Sequence, residues 1–348
     1  MIRADLAQLK AYVPGKKLEN AIKLSSNENF NGPLPAAVEA MTEAAGQVNR
    51  YPDAAMVELR EALAAHLGLS FEQITVGAGS SALCQQLVQI TCLERTDEVI
   101  FPWPSFEAYP LFVHVVGGTN RMIPLTADYR LDLDAMAEAI NDNTRLIFVC
   151  NPNNPTSTTI TQAEFDEFMA KVPDNVLVGL DEAYFEYNLA GDTPIATEAI
   201  EKYPNVVGLR TFSKAFGLAD LRVGYAFGAP EIIEAMAKVA APFAVSTIAQ
   251  KGALASLKAV DQLLEHVEDT AAQRDRATAA LSEFGALKSQ SNFIFLPAAK
   301  LPLTPHEVAA KLADQGIVVR PSDFGVRISI TNQEETDALL KAWDAAGF

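Results

Sequence analysis

Lys214 is the residue of this chain whose position most clearly indicates a chemical function. It closes the segment Thr211-Phe212-Ser213-Lys214, where the apolar run 206–209 gives way to a polar loop. A lysine amine placed at the end of a strand can form an imine with an aldehyde. Because a lone lysine in a loop is usually a solvated charge, the chemical interpretation depends on the residues that accompany it.

Polar side chains stand beside three further apolar runs. Asp181 and Tyr184 follow residues 176–180, Asn154 follows residues 146–150, and Arg222 precedes the run that begins at residue 223. Ligand sites of open α/β sheets form where loops leave the strand ends at one edge. The pattern therefore predicts one site built from several strand-end loops.

A glycine-rich turn at residues 77–81 follows one predicted strand and opens a predicted helix. Within this turn, the candidate phosphate-binding residues are Ala78, Gly79 and Ser80. Backbone N–H groups and the positive end of a helix can together cradle a phosphate. Other side chains at the predicted edge could donate to the same phosphate: Thr211, Ser213 and Arg222.

These groups together match the needs of pyridoxal 5′-phosphate, which requires a lysine for a Schiff base, an acid for the pyridine nitrogen and donors for its phosphate. Lys214 would hold the aldehyde and move a proton between the substrate Cα and the cofactor C4′. Asp181 would keep the ring nitrogen protonated. Asn154 and Tyr184 would hydrogen-bond the phenolic oxygen, and Phe106 would stack on the ring. Lys214, Asp181 and Tyr184 are thus the candidate catalytic residues.

Each of these side chains also has a purely structural interpretation. Asp181 could cap a helix or form a salt bridge, and Phe106 could pack in a core. Asn154 and Tyr184 could satisfy loop backbone groups. Only the joint occurrence of the set favours a cofactor site.

The elements that would position these groups alternate between strands and helices. Short β-rich runs lie at residues 74–77, 98–101, 121–125, 145–150, 176–180, 206–211 and 223–227. Helical patterns at 131–140 and 162–171 bridge some of them, which predicts a mostly parallel sheet covered on both faces. Residues 231–283 predict long helices with a break at 242–247. Further runs at 293–296, 317–319 and 326–330 predict a smaller α+β domain.

Composition narrows the class of protein. The chain has 348 residues, of which 49% are hydrophobic, and its net charge is −17 with a pI near 4.7. Such acidity argues against nucleic acid or an anionic membrane as a partner. No run approaches the roughly 18 apolar residues of a membrane span, and the first residues lack the apolar core of a signal peptide. We therefore expect a cytoplasmic protein.

The sequence offers little support for a metal site or for disulfides. Cys84, Cys92 and Cys150 each lie within an apolar pattern, which predicts reduced thiols packed as small hydrophobic groups. The four histidines are scattered without the spacing of metal ligands. We predict no bound metal.

The combined motifs resemble those of the fold type I, class I/II aminotransferases. The fragments NPNNPT, DEAY, TFSKAFGLADLRVGY and VRISI occur in that family's order, and the resemblance extends from about Tyr12 to the last helix. It implies that Lys214 is the Schiff-base lysine and that Arg327 grips the substrate α-carboxylate. It also implies a homodimer in which Tyr51 reaches the cofactor phosphate of the neighbouring subunit. The expected architecture is α/β, with a seven-stranded large domain at residues 30–244 and a small domain from residues 1–29 and 245–348.

Within this family the chain is most similar to the histidinol-phosphate aminotransferase branch. Residues 81–87, SALCQQL, and Ser157 instead resemble aromatic amino acid aminotransferases of actinobacterial type. This favours transamination of phenylalanine, tyrosine or tryptophan with 2-oxoglutarate by a ping-pong mechanism. By the same resemblance, the residues expected to contact the substrate besides Arg327 are Tyr12, Asn27, Phe30, Asn154 and Arg320.

Three other functions remain to be distinguished from this one. Histidinol-phosphate transamination differs only in substrate, and a carbon–sulfur lyase on the same fold would need no amino acceptor. A cofactor-binding transcription regulator would carry a basic helix-turn-helix domain. The acidic chain, whose motifs begin within its first thirty residues, argues against the regulator.

Overall fold

The computed structural model describes residues 2–3, 6 and 20–348. Its strands are β1 (Ile22–Lys23), β2 (Ile74–Gly77), β3 (Glu98–Trp103), β4 (Thr119–Pro124), β5 (Thr144–Cys150), β6 (Leu177–Asp181), β7 (Val206–Thr211), β8 (Gly224–Gly228), β9 (Phe293–Pro297), β10 (Ile317–Val318), β11 (Arg320–Ser322) and β12 (Gly325–Ser329). Strands β2 to β8 form one seven-stranded sheet in the order β2-β8-β7-β6-β5-β3-β4. The predicted α/β class and the seven-stranded sheet are confirmed.

The large sheet is parallel except at one strand. The pairs β3-β4, β3-β5, β5-β6 and β6-β7 are parallel, whereas β8 runs antiparallel to both β7 and β2. A parallel neighbour needs a crossover, usually through a helix. Residues 212–223 between β7 and β8 contain only the 3-10 turn Ala219–Leu221, so the chain reverses direction there.

The central strands are buried on both faces, as their unbroken apolar runs predict. In β5, Ile147 and Val149 pack into one core cluster, while Leu146 and Phe148 pack into a second one. This alternation follows from the two-residue period of a strand. The two clusters therefore lie on opposite faces of the sheet, each covered by helices.

The helices are α1 (Pro35–Ala45), α2 (Val57–Leu67), α3 (Gly79–Thr91), α4 (Tyr109–Val116), α5 (Leu133–Glu138), α6 (Gln162–Met169), α7 (Ala196–Lys202), α8 (Pro230–Val239), α9 (Thr247–Lys258), α10 (Val260–Ala280), α11 (Pro305–Asp314) and α12 (Gln333–Ala345). The predicted break near residues 242–247 separates α8 from α9. A second break, at Ala259, was not predicted because the pattern around it is uniformly helical.

The remaining strands form two small sheets around a third core cluster. β11, β12 and β9 make an antiparallel sheet, and β1 pairs in parallel with β10. Trp343 of α12 and Ile328 of β12 pack in the third cluster. The predicted domain boundary at residue 245 stays a prediction. α9, which follows this boundary, packs Ala249, Ala253 and Leu257 in the core of the large sheet.

Among residues 2–3, 6 and 20–348, no helix combines the length and apolar character required to cross a bilayer.

Candidate active site

Three neighbouring strands end at one edge of the large sheet. β5, β6 and β7 end at Cys150, Asp181 and Thr211, and Cys150 lies in register with Asp181. A cavity of about 740 Å³ opens at this edge. This is the position at which open α/β sheets bind ligands.

Most of the predicted site residues line this cavity. Those present are Asn27, Ser80, Phe106, Asn154, Asp181, Tyr184, Thr211, Ser213, Lys214, Arg222, Arg320 and Arg327. They come from strand ends of the large sheet, from the segment after β1 and from the small antiparallel sheet. The structure thus gathers side chains that lie up to three hundred residues apart in sequence.

A buried ion pair fixes the ends of β6 and β7 relative to each other. Glu182 Oε2 accepts a hydrogen bond from Arg210 Nε at 2.8 Å, and the two side chains are only 2% and 3% exposed. Breaking a buried pair of this kind typically costs about 3–5 kcal/mol. Since Glu182 follows Asp181 and Arg210 precedes Thr211, the pair holds both site residues in place.

Asp181 is a buried carboxylate at the end of the central strand. Its Oδ2 accepts a hydrogen bond from the Tyr109 hydroxyl at 2.6 Å, and its Oδ1 accepts one from the Ala183 N–H at 3.2 Å. Burial raises the pKa of Asp181 to about 6, and these hydrogen bonds act in the opposite direction. The group is therefore mostly ionised at neutral pH and is suited to pair with a cation inside the cavity.

Lys214 lies half-buried in the cavity. Its Nζ donates to the Ser26 carbonyl oxygen at 3.2 Å and lies 5.8 Å from the centre of the Tyr184 ring. Burial, together with the positive charges of Arg327 and Arg222, lowers the pKa of Lys214 to about 7. A neutral amine is the form that attacks an aldehyde.

The lowered pKa predicts how cofactor binding depends on pH. Since a base with a depressed pKa loses its proton at lower pH, we expect the rate at which cofactor-free enzyme binds pyridoxal 5′-phosphate to rise from pH 6 and to level off above about pH 8. Stopped-flow visible absorption measures this rate. Nα-acetyllysine in the same buffers is the control for ionisation of the aldehyde itself. A rate that climbs steadily to pH 10 would contradict the lowered pKa.

A cluster of donors lies at the start of α3. Arg222 Nη1 donates to Ser213 Oγ at 3.1 Å, and its Nη2 donates to Ser81 Oγ at 3.3 Å. Gly79, with φ of +78°, lies so close that a Cβ there would stand 2.4 Å from Arg222 Nη2. A Cβ on Gly224 would likewise stand 2.5 Å from the Ser80 nitrogen. Hydroxyls, a guanidinium and a helix N-terminus thus converge, which is the composition of a phosphate site.

Arg327 is anchored by neutral oxygens at another part of the cavity. Its Nη1 donates to Asn154 Oδ1 at 2.6 Å and its Nη2 to the Ser25 carbonyl at 2.8 Å. The guanidinium carbon lies 5.6 Å from the centre of the Phe293 ring. These contacts orient a planar fork that matches a carboxylate.

Tyr184 and Asn27 connect the cavity to the small antiparallel sheet. Asn27 Nδ2 donates to the Tyr184 hydroxyl at 3.0 Å, and Ser329 Oγ donates to Asn27 Oδ1 at 2.9 Å. Burial raises the pKa of Tyr184 to about 12. Because the hydroxyl accepts from Asn27 and stays protonated at neutral pH, its own hydrogen is available to donate.

Several predicted residues lie elsewhere. Ala78 is the N-cap of α3 and Gly79 is its first residue, and neither of them lines the cavity. Phe30 is 52% exposed and does not line it. Tyr51 is 82% exposed and stacks on Phe243, with ring centres 4.6 Å apart. Tyr12 lies outside the described residues.

Other residues of the site were not predicted. Ser25 and Ser26 contribute carbonyl oxygens, which carry no side-chain signal in a sequence. Tyr109 resembled an ordinary core residue in an aromatic segment, although its hydroxyl binds Asp181. Glu107, beside the predicted Phe106, also lines the cavity. The acidic residue could have been noticed as a charge among apolar neighbours.

The cysteines are free and buried, as predicted. Burial raises the pKa of the Cys150 thiol to about 12, so this cavity residue is not a thiolate at neutral pH. No group of metal-ligating side chains occurs among the residues that the structure describes. The chemistry of the cavity therefore centres on the amine of Lys214.

The donor set of the cavity fits pyridoxal 5′-phosphate. It provides an amine for the aldehyde, a buried carboxylate for the ring nitrogen, and the cluster around Arg222 for the phosphate. Residues 19–342 also match the family model for aminotransferase class I and II. The chain belongs to the class I and II aminotransferase family, whose cofactor is pyridoxal 5′-phosphate.

More specific similarities are found among individual proteins. The chain is 64% identical over 345 residues to the aromatic amino acid aminotransferase of Corynebacterium glutamicum (strain R), covering 99% of both chains. It is 51% identical over 341 residues to the aromatic amino acid aminotransferase of Rhodococcus jostii (strain RHA1), covering 97% of this chain and 94% of that one. Among solved structures, the histidinol-phosphate aminotransferase of Sinorhizobium meliloti in complex with pyridoxal-5′-phosphate superposes with a TM-score of 0.88 at 29% identity, covering 99% and 97% of the two chains.

Proposed function

We propose that the protein is an aromatic amino acid aminotransferase that transfers the amino group of phenylalanine, tyrosine or tryptophan to 2-oxoglutarate. The observation that carries this proposal is the full-length similarity to relatives of that name. The cavity supports it, because the segment after β3 lines one wall with apolar side chains: Phe106, Ala108, Leu111 and Phe112. An aromatic ring can pack against such a wall.

The cofactor would be held at three points. Ser80, Ser81, Thr211, Ser213 and Arg222 would receive its phosphate. Asp181 would pair with the ring nitrogen, and Asn154 and Tyr184 would hydrogen-bond the phenolic oxygen. Phe106 would stack on the ring. When bound, pyridoxal 5′-phosphate draws electrons away from the substrate Cα, so that its C–H bond can break.

The residues of this chain would then divide the work between binding and proton transfer. Arg327 holds the α-carboxylate in a bidentate pair, which orients the Cα–H bond toward Lys214. Lys214 Nζ accepts the proton from Cα, because its lowered pKa leaves it largely neutral near physiological pH. In the second half of the cycle, with 2-oxoglutarate, Lys214 returns a proton to Cα.

Substrate preference tests the proposal directly. We expect kcat/KM for phenylalanine with 2-oxoglutarate to exceed that for histidinol phosphate by about tenfold or more, the size of preference that one pocket typically achieves. Glutamate formation is measured with each donor under identical conditions. A preference for histidinol phosphate would overturn the assignment, and formation of ammonia and pyruvate from a cysteine conjugate would indicate a lyase.

The homodimer remains part of the proposal. Tyr51 and Phe243 present two stacked, exposed rings that do not line the cavity of their own protomer, and in the proposed dimer Tyr51 reaches the neighbouring active site. Light scattering of the purified protein gives the mass that checks it, and a monomer would contradict it.

A further inference from the structure

An ion pair joins two walls of the cavity. Arg320 Nη2 donates to Glu107 Oε2 at 2.9 Å, and both residues line the cavity. Glu107 lies between β3 and α4, whereas Arg320 begins β11. Phe324 at the tip of the β11-β12 hairpin packs edge-on against Trp103 at the end of β3, with ring centres 6.4 Å apart. This contact holds the hairpin close to the segment that carries Glu107.

Arg320 and Arg327 occupy the same face of the small antiparallel sheet. They are paired in register across β11 and β12, and residues opposed in this way project to the same side. Two like charges so close disfavour each other unless counter-charges are present. Among the described residues, Arg327 donates to the neutral oxygens of Asn154 and Ser25, and Arg320 donates to the carboxylate of Glu107.

The pair between Glu107 and Arg320 is accessible enough to open. The side chains of Arg320 and Glu107 are 22% and 55% exposed. Ion pairs with this much solvent contact add little to stability, so exchange of one carboxylate for another on the guanidinium costs little.

We infer that Glu107 is a specificity-determining residue that acts as an exchangeable counter-ion of Arg320. This inference rests on the proposed exchange between aromatic amino acids and 2-oxoglutarate, which requires one pocket to accept a ring and a second carboxylate in turn. With an aromatic substrate, Glu107 stays on Arg320, and the ring packs on the adjacent apolar wall. With 2-oxoglutarate, the distal carboxylate replaces Glu107 on Arg320.

The substitution Glu107→Gln tests this role with little change in shape. Because it removes the competing carboxylate, we expect kcat/KM for 2-oxoglutarate to rise about fivefold, as expected for loss of a partly exposed ion pair. Because it also leaves the charge of Arg320 without Glu107 when an aromatic substrate is bound, we expect kcat/KM for phenylalanine to fall by a similar factor. The two half-reactions of the holoenzyme are measured separately by the absorption change of the bound cofactor. Glu167→Gln, an exposed position on α6, is the matched control for net charge and should change neither value.

A double-mutant cycle isolates the pair. In the Arg320→Gln background, Glu107→Gln should no longer improve the reaction with 2-oxoglutarate, because the guanidinium for which Glu107 competes, that of Arg320, is absent. An effect that persists in that background, or that shifts both half-reactions in the same direction, would overturn the inference. Absence of aromatic transamination in the wild type would instead refute the proposed function, so the two failures are distinguishable.

Discussion

Replacement of Lys214 by alanine is expected to lower kcat by about 10⁴-fold or more, the loss typical when the residue that forms the covalent link is removed. The amine is also expected to hold the cofactor, so the visible absorption band of the holoenzyme should shift or vanish in Lys214→Ala. Both changes are measured on the same preparation, by glutamate formation and by absorption after loading with pyridoxal 5′-phosphate.

Two controls separate chemistry from folding in the Lys214 experiment. Lys171→Ala removes a lysine from an exposed pair with Asp134 and should leave activity within about twofold. Added small primary amines should restore part of the Lys214→Ala activity, because they can supply the missing base. If Lys214→Ala kept more than a tenth of the wild-type kcat, Lys214 would not be the catalytic amine.

Replacement of Asp181 by asparagine should have the second largest effect. The amide has the same shape but no charge, so it cannot pair with a protonated ring nitrogen, and it presents a donor toward the Tyr109 hydroxyl. We expect kcat to fall by about 10²- to 10⁴-fold, the range for loss of a positioned electrostatic or proton-holding group. Steady-state turnover with phenylalanine and 2-oxoglutarate provides the measurement.

The Asp181 result can be separated from simple loss of cofactor. Absorption of the loaded variant reports whether pyridoxal 5′-phosphate stays bound through Lys214. Tyr109→Phe removes the 2.6 Å hydrogen bond to Asp181 but leaves the carboxylate in place, so its effect on kcat should be much smaller than that of the amide. Full activity in a cofactor-loaded Asp181→Asn enzyme would remove Asp181 from the catalytic set.

The sequence was most informative where an apolar strand ends in a polar residue. Asp181 and Thr211 are the last residues of buried strands, so their position at the cavity edge could be predicted from local pattern alone. The antiparallel orientation of β8 could not be predicted from local pattern, because the direction of this strand depends on the path of residues 212–223. The groups supplied by Ser25 and Ser26 are backbone atoms, whose partners Arg327 and Lys214 lie 302 and 188 positions away in the sequence.

The charged and polar contacts of the site also divide into those that the sequence predicts and those that only the folded structure shows. Arg320 was predicted as a substrate contact, but its pairing with Glu107 could not be foreseen, because the two residues are 213 positions apart. Tyr109 was not predicted as a site residue, since nothing in a sequence shows that its hydroxyl meets a carboxylate. Many of the residues that take part in the site could be predicted from sequence patterns. The interaction partners of those residues could be identified only in the folded structure.

The two ends of the cavity come from different stretches of chain. The side chains proposed to hold the cofactor lie between residues 80 and 222, whereas Arg320 and Arg327 belong to the β11-β12 hairpin. A library that randomises residues 320–324 of the hairpin together with Glu107, Ala108, Leu111 and Phe112 would sample new amino donors and acceptors, while Arg327, Tyr109 and the residues proposed to hold the cofactor stay unchanged. Substrate range in this scaffold is therefore open to redesign, and to natural drift, independently of the residues that retain the cofactor.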